Sequence, residues 1–332
     1  MIQNLRNINH RGNYRKNKNC NRKMANQTGR ENGTTIQDFV CKIVDTNAIP
    51  WERKFILAFN MLTSITAFLG NFLIIIALRK VSCLHPHSKL LFRCLACTDL
   101  CAGLITQPLY IASRLYFHSP CYRVLSFLVN TTFTVFGGIS MFTVTAISVD
   151  RLLALMLELR YRRIVTLKSV RVLIFVFWLS STAAAMMFFY DRAVATGIAS
   201  LGLIMTTCAS IFSYTKIFLT MRQQRSKVQN YSHQRKPDGG GIPLNRARYR
   251  KTVSSALWVQ ITLLLCYIPY AITVAIFAVT GSVTPSLDIT WHLTLSLFYF
   301  NSTLNPFLYC WKIREVRQAV KGTIRKLNCL SS

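Results

Sequence analysis

The sequence predicts an all-α membrane protein, a bundle of seven transmembrane helices followed by a short amphipathic eighth helix. Hydrophobic residues make up 52% of the 332 residues and charged residues only 15%, less charge than a soluble domain carries. The charged residues divide the chain into seven apolar runs, each long enough for a helix that crosses a bilayer. Basic residues gather in alternate loops between these runs, as expected of a multi-pass membrane protein.

The apolar runs place the predicted spans, which we number one to seven. Spans four and five are separated only by Asp191 and Arg192, so hydropathy alone would fuse them. Together the spans form one membrane-embedded domain over residues 55–311. They lie at about residues 55–78, 88–113, 121–150, 170–189, 193–221, 252–279 and 287–311.

The distribution of lysine and arginine predicts the orientation. These residues are frequent in the loops after spans one, three and five and in the tail after span seven, whereas the opposite loops hold only Arg114, Arg123 and Arg192. By the positive-inside rule the N-terminus is outside and the C-terminus inside, and we expect a plasma-membrane location. The net charge of +29 then matches an anionic lipid surface, and we expect no nucleic-acid partner.

The two ends of the chain are polar. Residues 1–54 predict a disordered extracellular tail with glycosylation acceptor sequons at Asn26 and Asn32, and a start at Met24 would remove most of its basic residues. Residues 312–332 predict a cytoplasmic amphipathic helix and tail on the inner leaflet lipids, because apolar residues recur along a basic segment. Cys329 in this tail is a candidate for palmitoylation.

Four polar or helix-breaking features interrupt the apolar runs. Asp150 and Arg151 follow a long uncharged stretch, and ionisable residues at a membrane boundary are usually functional. Asp99 lies within span two, where a carboxylate needs a partner, a bound cation or a proton. Pro269 in span six and Pro306 in span seven each remove a backbone hydrogen bond and create a kink.

These motifs together resemble the rhodopsin-like (class A) G-protein-coupled receptors, over about Phe55 to Cys329. The resemblance implies a receptor that passes the binding of an extracellular ligand to heterotrimeric G proteins by an outward swing of span six. The matching motifs occur in the family's order: Gly70-Asn71, Leu95-Ala96-Cys97-Thr98-Asp99, Asp150-Arg151, Trp178, Tyr214, Cys266 with Pro269, and Asn305-Pro306-x-x-Tyr309.

The resemblance also implies three sets of site residues. Activation and G-protein coupling would involve Asp150, Arg151, Tyr214, Asn305, Pro306 and Tyr309, with a hinge at Tyr267 and Pro269. A buried sodium pocket, with Asp99 as the metal-binding carboxylate, would comprise Asn71, Asp99, Ser140, Asn301 and Asn305. The alternative for this second set is a hydrogen-bonded polar core without an ion, and no other cofactor is expected.

The ligand pocket implied by the resemblance is aromatic and nearly uncharged. Phe133 occupies the position of the family's amine-binding aspartate, and Tyr299 that of the retinal-linking lysine, so neither a monoamine held by an ion pair nor retinal is expected. The lining suits a lipid, a neutral small molecule or a peptide, although helix packing alone would also explain each residue. The predicted lining is Phe133, Tyr267, Tyr270, Phe298 and Tyr299.

The chain departs from the family pattern at several positions. Tyr267 replaces the usual tryptophan of span six, and Leu152 replaces the tyrosine that usually follows Asp-Arg. No acid lies near Tyr249 to restrain Arg151, and Arg248 and Arg250 would repel it, so we expect some basal signalling.

The predicted outer surface also departs from the common pattern. The loop between spans four and five is very short and lacks a cysteine, so Cys121 would pair with Cys41 or Cys20 or remain free. With the missing proline of span five, these features resemble the melanocortin, adenosine and cannabinoid receptor group.

The main alternative function is an ion-coupled membrane transporter in which Asp99 binds the coupling ion. Transporters tend to show inverted repeats and paired broken helices, and we find no internal repeat. An enzyme is not expected, because no nucleophile-base set, metal cluster or phosphate loop is apparent in the sequence.

Overall fold

The computed structural model describes residues 50–81, 85–117, 120–157, 160–234, 264–277, 279–280, 284–312 and 314–330. All belong to one compact unit, Ile43–Ser332. A second unit, Met1–Lys42, lies outside the described residues, and so do the predicted glycosylation sites Asn26 and Asn32. Every regular element in the described part of the chain is helical, which confirms the all-α fold class.

In the described part of the chain, five helices are long and apolar enough to cross a membrane, and they correspond to spans one to five. They are Trp51–Lys80, Pro86–Leu115, Cys121–Leu157, Leu167–Phe189 and Ala193–Gln223. Span six is described as the apolar helix Leu264–Phe277, and span seven as Pro285–Lys312. Span seven is also long enough, but its hydropathy is lowered by polar side chains that are buried in the bundle: Asn301, Ser302, Thr303 and Asn305.

Several helices extend beyond the predicted spans, because charged residues mark the edge of the membrane rather than the end of a helix. The first helix begins at Trp51, within the predicted tail 1–54. The helix of span three continues to Leu157, so Asp150 and Arg151 lie inside it. The helix of span five runs from Arg192 to Gln234, so it continues beyond residue 221, where the predicted span ends.

Polar side chains cap the first turns of spans four and five. The Asp191 Oδ1 accepts a hydrogen bond of 2.7 Å from the backbone N–H of Ala193, which separates spans four and five where hydropathy could not. The Thr166 Oγ1 accepts from the N–H of Ser169 at 3.2 Å at the start of span four. Each cap satisfies a backbone donor that the first helical turn leaves without a partner.

Spans two and three each contain one widened π-helical turn that the sequence analysis did not predict. These turns are Ala102–Thr106 in span two and Phe133–Gly137 in span three. Such turns shift the side chains that follow them and are frequent at functional sites. Both turns line the cavity described below.

Spans one, two and seven are joined by buried hydrogen bonds. The Asn60 Nδ2 donates to Ser296 Oγ at 2.7 Å, the Ser64 hydroxyl donates to the Gly103 carbonyl at 2.7 Å, and Thr303 Oγ1 donates to the Thr63 carbonyl at 2.9 Å. Interhelical hydrogen bonds of this kind stabilise helix packing where water is absent. These three spans therefore form a fixed frame for Asp99.

The final helix, Arg314–Leu330, packs against the inner end of span one. Its Val316 is buried, and Lys80 Nζ donates a 2.9 Å hydrogen bond to Thr323 Oγ1. The helix lies where the amphipathic helix was predicted, whereas its position on the membrane remains a prediction. The side chain of Cys329 lies outside the description.

Candidate functional site

Asp99 is the centre of a fully buried polar site between spans two, three and seven. Its Oδ1 accepts hydrogen bonds from Ser140 Oγ at 3.3 Å and Ser302 Oγ at 2.9 Å, and its Oδ2 accepts from Asn305 Nδ2 at 2.5 Å. All three donors are neutral. Among the described residues no basic side chain forms an ion pair with Asp99. The carboxylate is therefore solvated by hydrogen bonds but not neutralised by charge.

Three asparagines beside Asp99 use their amide nitrogens on protein acceptors. The Asn71 Nδ2 donates to the carbonyls of Ala67 and Ser302, each at 2.9 Å, Asn305 donates to Asp99, and Asn301 donates to the Tyr267 hydroxyl. The Oδ1 atoms of Asn71, Asn301 and Asn305 are buried without a hydrogen-bond partner. A buried acceptor without a partner costs roughly 1–3 kcal/mol, so such atoms are usually satisfied by a ligand or water.

A small cavity lies directly against this site, with room for about one water-sized particle. Its polar wall comprises Asp99, Ser140, Asn301 and Ser302, and the two π-helical turns supply much of the rest. One carboxylate with several neutral oxygens is the donor set that a hard cation prefers. The residues present therefore fit a monovalent cation such as sodium.

The structure brings four of the five predicted pocket residues together. Asp99, Ser140 and Asn301 line the cavity, and Asn305 donates a hydrogen bond to Asp99. Asn71 reaches the site one step further away, through the Ser302 carbonyl. The sequence analysis missed Ser302, which donates to Asp99 and accepts from Asn71. Its position next to Asn301 in a row of polar residues was the available signal.

Asp150 is the centre of a second buried site, at the inner end of the bundle. Its Oδ1 accepts a 2.5 Å hydrogen bond from the Tyr161 hydroxyl, and its Oδ2 accepts a 3.0 Å hydrogen bond from Ser88 Oγ. The Arg151 Nη2 lies 3.7 Å from the same Oδ2. The His87 Nε2 lies 2.7 Å from the Tyr161 hydroxyl, and since Tyr161 donates to Asp150, His87 is the donor in that contact.

Tyr161 belongs to a short helix, Tyr161–Ile164, in the loop between spans three and four. Burial, followed by the hydrogen bond to the Asp150 carboxylate, raises the pKa of the Tyr161 phenol above its ordinary value. The phenol therefore stays protonated and remains a donor to Asp150 at physiological pH. Neither Tyr161 nor His87 was predicted, because both lie outside the predicted spans.

The predicted activation residues are close together but Arg151 does not contact the two tyrosines. The Arg151 guanidinium lies 6.0 Å from the ring centre of Phe92, and the Tyr309 ring packs edge-on against the same ring at 5.1 Å. The Tyr214 hydroxyl instead lies 3.0 Å from Ser148 Oγ. Arg151 is thus paired with Asp150, and the Tyr309 hydroxyl is buried without a hydrogen-bond partner.

Pro306 also has a direct packing role on span seven. A Cβ atom added at Gly70 would lie 2.9 Å from the Pro306 Cγ, closer than real Cβ contacts allow. The Gly70-Asn71 motif therefore lets span one approach the proline of span seven. On span six, the Thr273 hydroxyl donates a 2.9 Å hydrogen bond to the Pro269 carbonyl, one turn before it.

The five predicted ligand-pocket residues form one aromatic cluster. The ring of Phe133 lies 5.0 Å from Phe298, 5.7 Å from Tyr299 and 5.8 Å from Tyr270, and the Tyr267 ring lies 4.8 Å from Phe298. These centroid distances are typical of packed aromatic pairs. The cluster lies on the outer side of Asp99, and Phe133, Phe298 and Tyr299 also line the cavity.

A polar chain that the sequence analysis did not predict extends from this cluster to the outer end of the bundle. The Tyr110 ring lies 5.8 Å from Tyr299, and its hydroxyl lies 3.0 Å from His292 Nδ1. The His292 Nε2 lies 3.4 Å from Asp288, which also pairs with Arg53 at 3.3 Å. Asp288 and His292 are one turn apart on span seven, whereas Arg53 and Tyr110 are far from them in sequence and are brought to them by helix packing.

The outer end of span three carries a disulfide. Cys121 is disulfide-bonded, so it is not the free thiol that the sequence left possible. Its two predicted partners, Cys41 and Cys20, lie outside the described residues.

Comparison with known proteins decides the family. The model of the 7 transmembrane receptor (rhodopsin family) matches residues 70–198 and 190–309. The chain belongs to this family. The match includes Asp99, Asp150, Arg151 and the Asn305-Pro306-x-x-Tyr309 motif, which the sequence analysis used.

Named receptors align over most of the chain. Trace amine-associated receptor 9 of Rattus norvegicus is 25% identical over 300 residues, which cover 82% of this chain and 87% of the rat receptor. Trace amine-associated receptor 9 of Homo sapiens is 24% identical over 316 residues, covering 85% and 88%. Adenosine receptor A3 of Ovis aries is 25% identical over 300 residues, covering 83% and 91%.

These findings confirm the receptor prediction. The protein is a multi-pass G-protein-coupled receptor of the rhodopsin family, which couples to G proteins and binds extracellular ligands. The adenosine receptor is a member of the group that the outer loops resembled, whereas the trace amine receptors were not anticipated. The transporter alternative is not favoured by these matches.

Proposed function

We propose that this receptor lies in the plasma membrane with its N-terminus outside, and that it passes ligand binding to heterotrimeric G proteins through Arg151 and an outward swing of span six. The observation that carries this proposal is the pairing of Arg151 with a buried Asp150 that is also bound by Tyr161 and Ser88. Such a pair keeps the guanidinium inside the bundle. Movement of span six away from span three would open the space that Arg151 needs to reach a G protein.

The orientation is supported by the positions of the disulfide and the basic residues. Disulfides persist in oxidising compartments, and Cys121 lies at the end of span three that the charge distribution places outside. The opposite end of span three carries Arg151 and the loop with Arg160 and Arg163. Both features favour an extracellular Cys121 and a cytoplasmic Arg151.

The ligand of this receptor is proposed to be a lipid, a neutral small molecule or a peptide rather than a protonated amine. Two relatives are named for trace amines, but Phe133 provides no carboxylate at the family's amine position. The Phe133 ring packs against the aromatic rings of Tyr270, Phe298 and Tyr299. An ammonium group placed there would lose its hydration without gaining an ion pair.

The Asp99 site is proposed to bind sodium in the inactive receptor. The support is the uncompensated carboxylate and the three amide oxygens that lack partners. A sodium ion supplies positive charge beside Asp99 and would hold spans two, three and seven together. A water molecule in the cavity would satisfy some of those acceptors but would leave the Asp99 carboxylate without a compensating charge.

A ligand screen read out by several G-protein sensors tests this proposal. Cells expressing wild-type receptor and Arg151→Ala would be exposed to matched panels of lipids, neutral small molecules, peptides and β-phenylethylamine. We expect a response to one of the first three classes that Arg151→Ala abolishes at equal surface expression. A response to β-phenylethylamine alone would contradict the ligand class, and a response that Arg151→Ala retains would contradict the coupling role.

A further inference from the structure

Tyr267 occupies the position where this family usually has a tryptophan, and its side chain is connected to the polar site in a way that a tryptophan could not be. Tyr267 is 3% exposed and lies on span six, two residues before Pro269. Its hydroxyl accepts a hydrogen bond from Asn301 Nδ2 on span seven. An indole group carries a donor and no acceptor, so a tryptophan could not accept this hydrogen bond.

The hydrogen bond to Tyr267 determines which end of the Asn301 amide is available. With Nδ2 directed at the tyrosine hydroxyl, Asn301 Oδ1 is left buried, without a partner, and on the wall of the cavity beside Asp99. The amide oxygen is the end that a cation binds. Without a hydrogen-bond acceptor on the side chain at position 267, Asn301 Nδ2 would have no partner there to keep Asn301 Oδ1 facing the cavity.

The orientation of the Asn301 amide matters because Asn301 and Asp99 line the same cavity. The end of the amide that faces the cavity decides whether an ion beside Asp99 meets an oxygen or an N–H group. One phenol on span six is thus connected to the cation site through Asn301 on span seven.

We propose that the Tyr267 hydroxyl is a positioning group for the cation site, orienting Asn301 Oδ1 toward the ion and linking span six to the ion-bound arrangement. This inference depends on the proposed sodium site. When span six swings outward about Pro269, the hydroxyl leaves Asn301 and the amide loses its fixed orientation. Cation binding and the swing of span six therefore oppose each other through one hydrogen-bonded phenol.

The test measures the thermal stability of the purified full-length receptor against increasing NaCl, with choline chloride at equal concentration as the salt control. The variants are Tyr267→Phe, which removes only the hydroxyl, and Tyr267→Trp, which restores the residue usual in the family. The matched control is Tyr110→Phe, because Tyr110 is also buried but its hydroxyl contacts His292 Nδ1 at 3.0 Å rather than Asn301.

We expect sodium to raise the melting temperature of the wild-type receptor above its value in choline chloride. Tyr267→Phe and Tyr267→Trp should need about three- to tenfold more sodium for half of this rise, because the loss of one hydrogen bond weakens binding by about that factor. Tyr110→Phe should have the same half-saturating sodium concentration as the wild type. A purely structural role for the hydroxyl would lower stability equally in both salts and leave the half-saturating sodium concentration unchanged.

Two other results are informative. A wild-type sodium response retained in Tyr267→Phe, or an equal shift in Tyr110→Phe, would overturn this inference and leave the sodium site standing. Absence of any sodium-specific response in the wild-type receptor would overturn the sodium site and this inference together. Neither result bears on G-protein coupling, which the sensor assay measures independently.

Discussion

The hydroxyl of Tyr161 donates a hydrogen bond of 2.5 Å to Oδ1 of Asp150. This contact joins the loop after span three to the acid beside Arg151, and Ser88 on span two completes the arrangement. The sequence provides no acid near Tyr249 to restrain Arg151 from span six. Among the described residues, Tyr161 in the loop and Ser88 on span two hold the Asp150 carboxylate in place beside Arg151.

Removal of the Tyr161 hydroxyl should raise basal signalling. In Tyr161→Phe the ring still packs against His87, but Asp150 loses its shortest hydrogen bond and holds Arg151 less firmly. A lost hydrogen bond to a charged group is worth roughly 1.5–3 kcal/mol, so we expect a rise of at least severalfold in ligand-independent G-protein activation. The sensor assay at matched surface expression measures it.

The control for this change is Tyr190→Phe, since Tyr190 is exposed in the short loop between spans four and five. It should signal like the wild type. Basal activity of Tyr161→Phe at or below the wild-type level would show that the Tyr161 hydrogen bond does not restrain Arg151.

A methyl group added at Gly70 should destabilise the receptor. The new Cβ atom would lie 2.9 Å from Cγ and 3.1 Å from Cβ of Pro306, whose ring cannot move aside. We expect Gly70→Ala to cost about 1–3 kcal/mol, seen as a lower melting temperature and less receptor at the cell surface.

Gly202→Ala provides the matched control, because a Cβ atom there meets nothing within 4 Å. Helix propensity favours alanine, so this variant should be as stable as the wild type or slightly more stable. Equal melting temperatures for the two alanine variants would be inconsistent with a tight contact between spans one and seven.

Neutralisation of Asp99 should abolish the sodium response. Asp99→Asn removes the negative charge that attracts the ion but keeps the side-chain volume, and its amide can still hydrogen-bond to Ser140 or Ser302. The melting temperature of this variant should therefore be the same in NaCl and choline chloride. Glu315→Gln, an exposed acid on the final helix, should keep the wild-type sodium response. Sodium dependence that persists in Asp99→Asn would place the ion elsewhere.

The sequence predicted the elements of the fold well because membrane helices obey simple rules of length and charge. The runs between charged residues located the helices, and Asp191 correctly divided spans four and five, where it acts as a helix cap. The helix ends were less predictable, since the helix of span three continues seven residues beyond Asp150 into Leu157. Charge marks the membrane boundary, and a helix does not have to end there.

Part of the polar site around Asp99 was predictable from the positions of the family's motifs. Asp99, Ser140 and Asn305 follow from motif positions, and the structure brings them together. Ser302 and Tyr161 do not belong to the motifs used, and their contacts with Asp99 and Asp150 depend on tertiary packing. The π-helical turns likewise leave no periodic trace in an apolar run, although they shape the cavity.

The most direct test of the account compares basal G-protein activation in cells expressing the wild-type receptor, Arg151→Ala and the control Arg163→Ala at equal surface levels. Arg151 is paired inside the bundle with Asp150, whereas Arg163 is exposed in the following loop. We predict activation above that of mock-transfected cells for the wild type and Arg163→Ala, and activation equal to mock for Arg151→Ala. Wild-type activation retained in Arg151→Ala would contradict the claim that signals leave the receptor through this arginine.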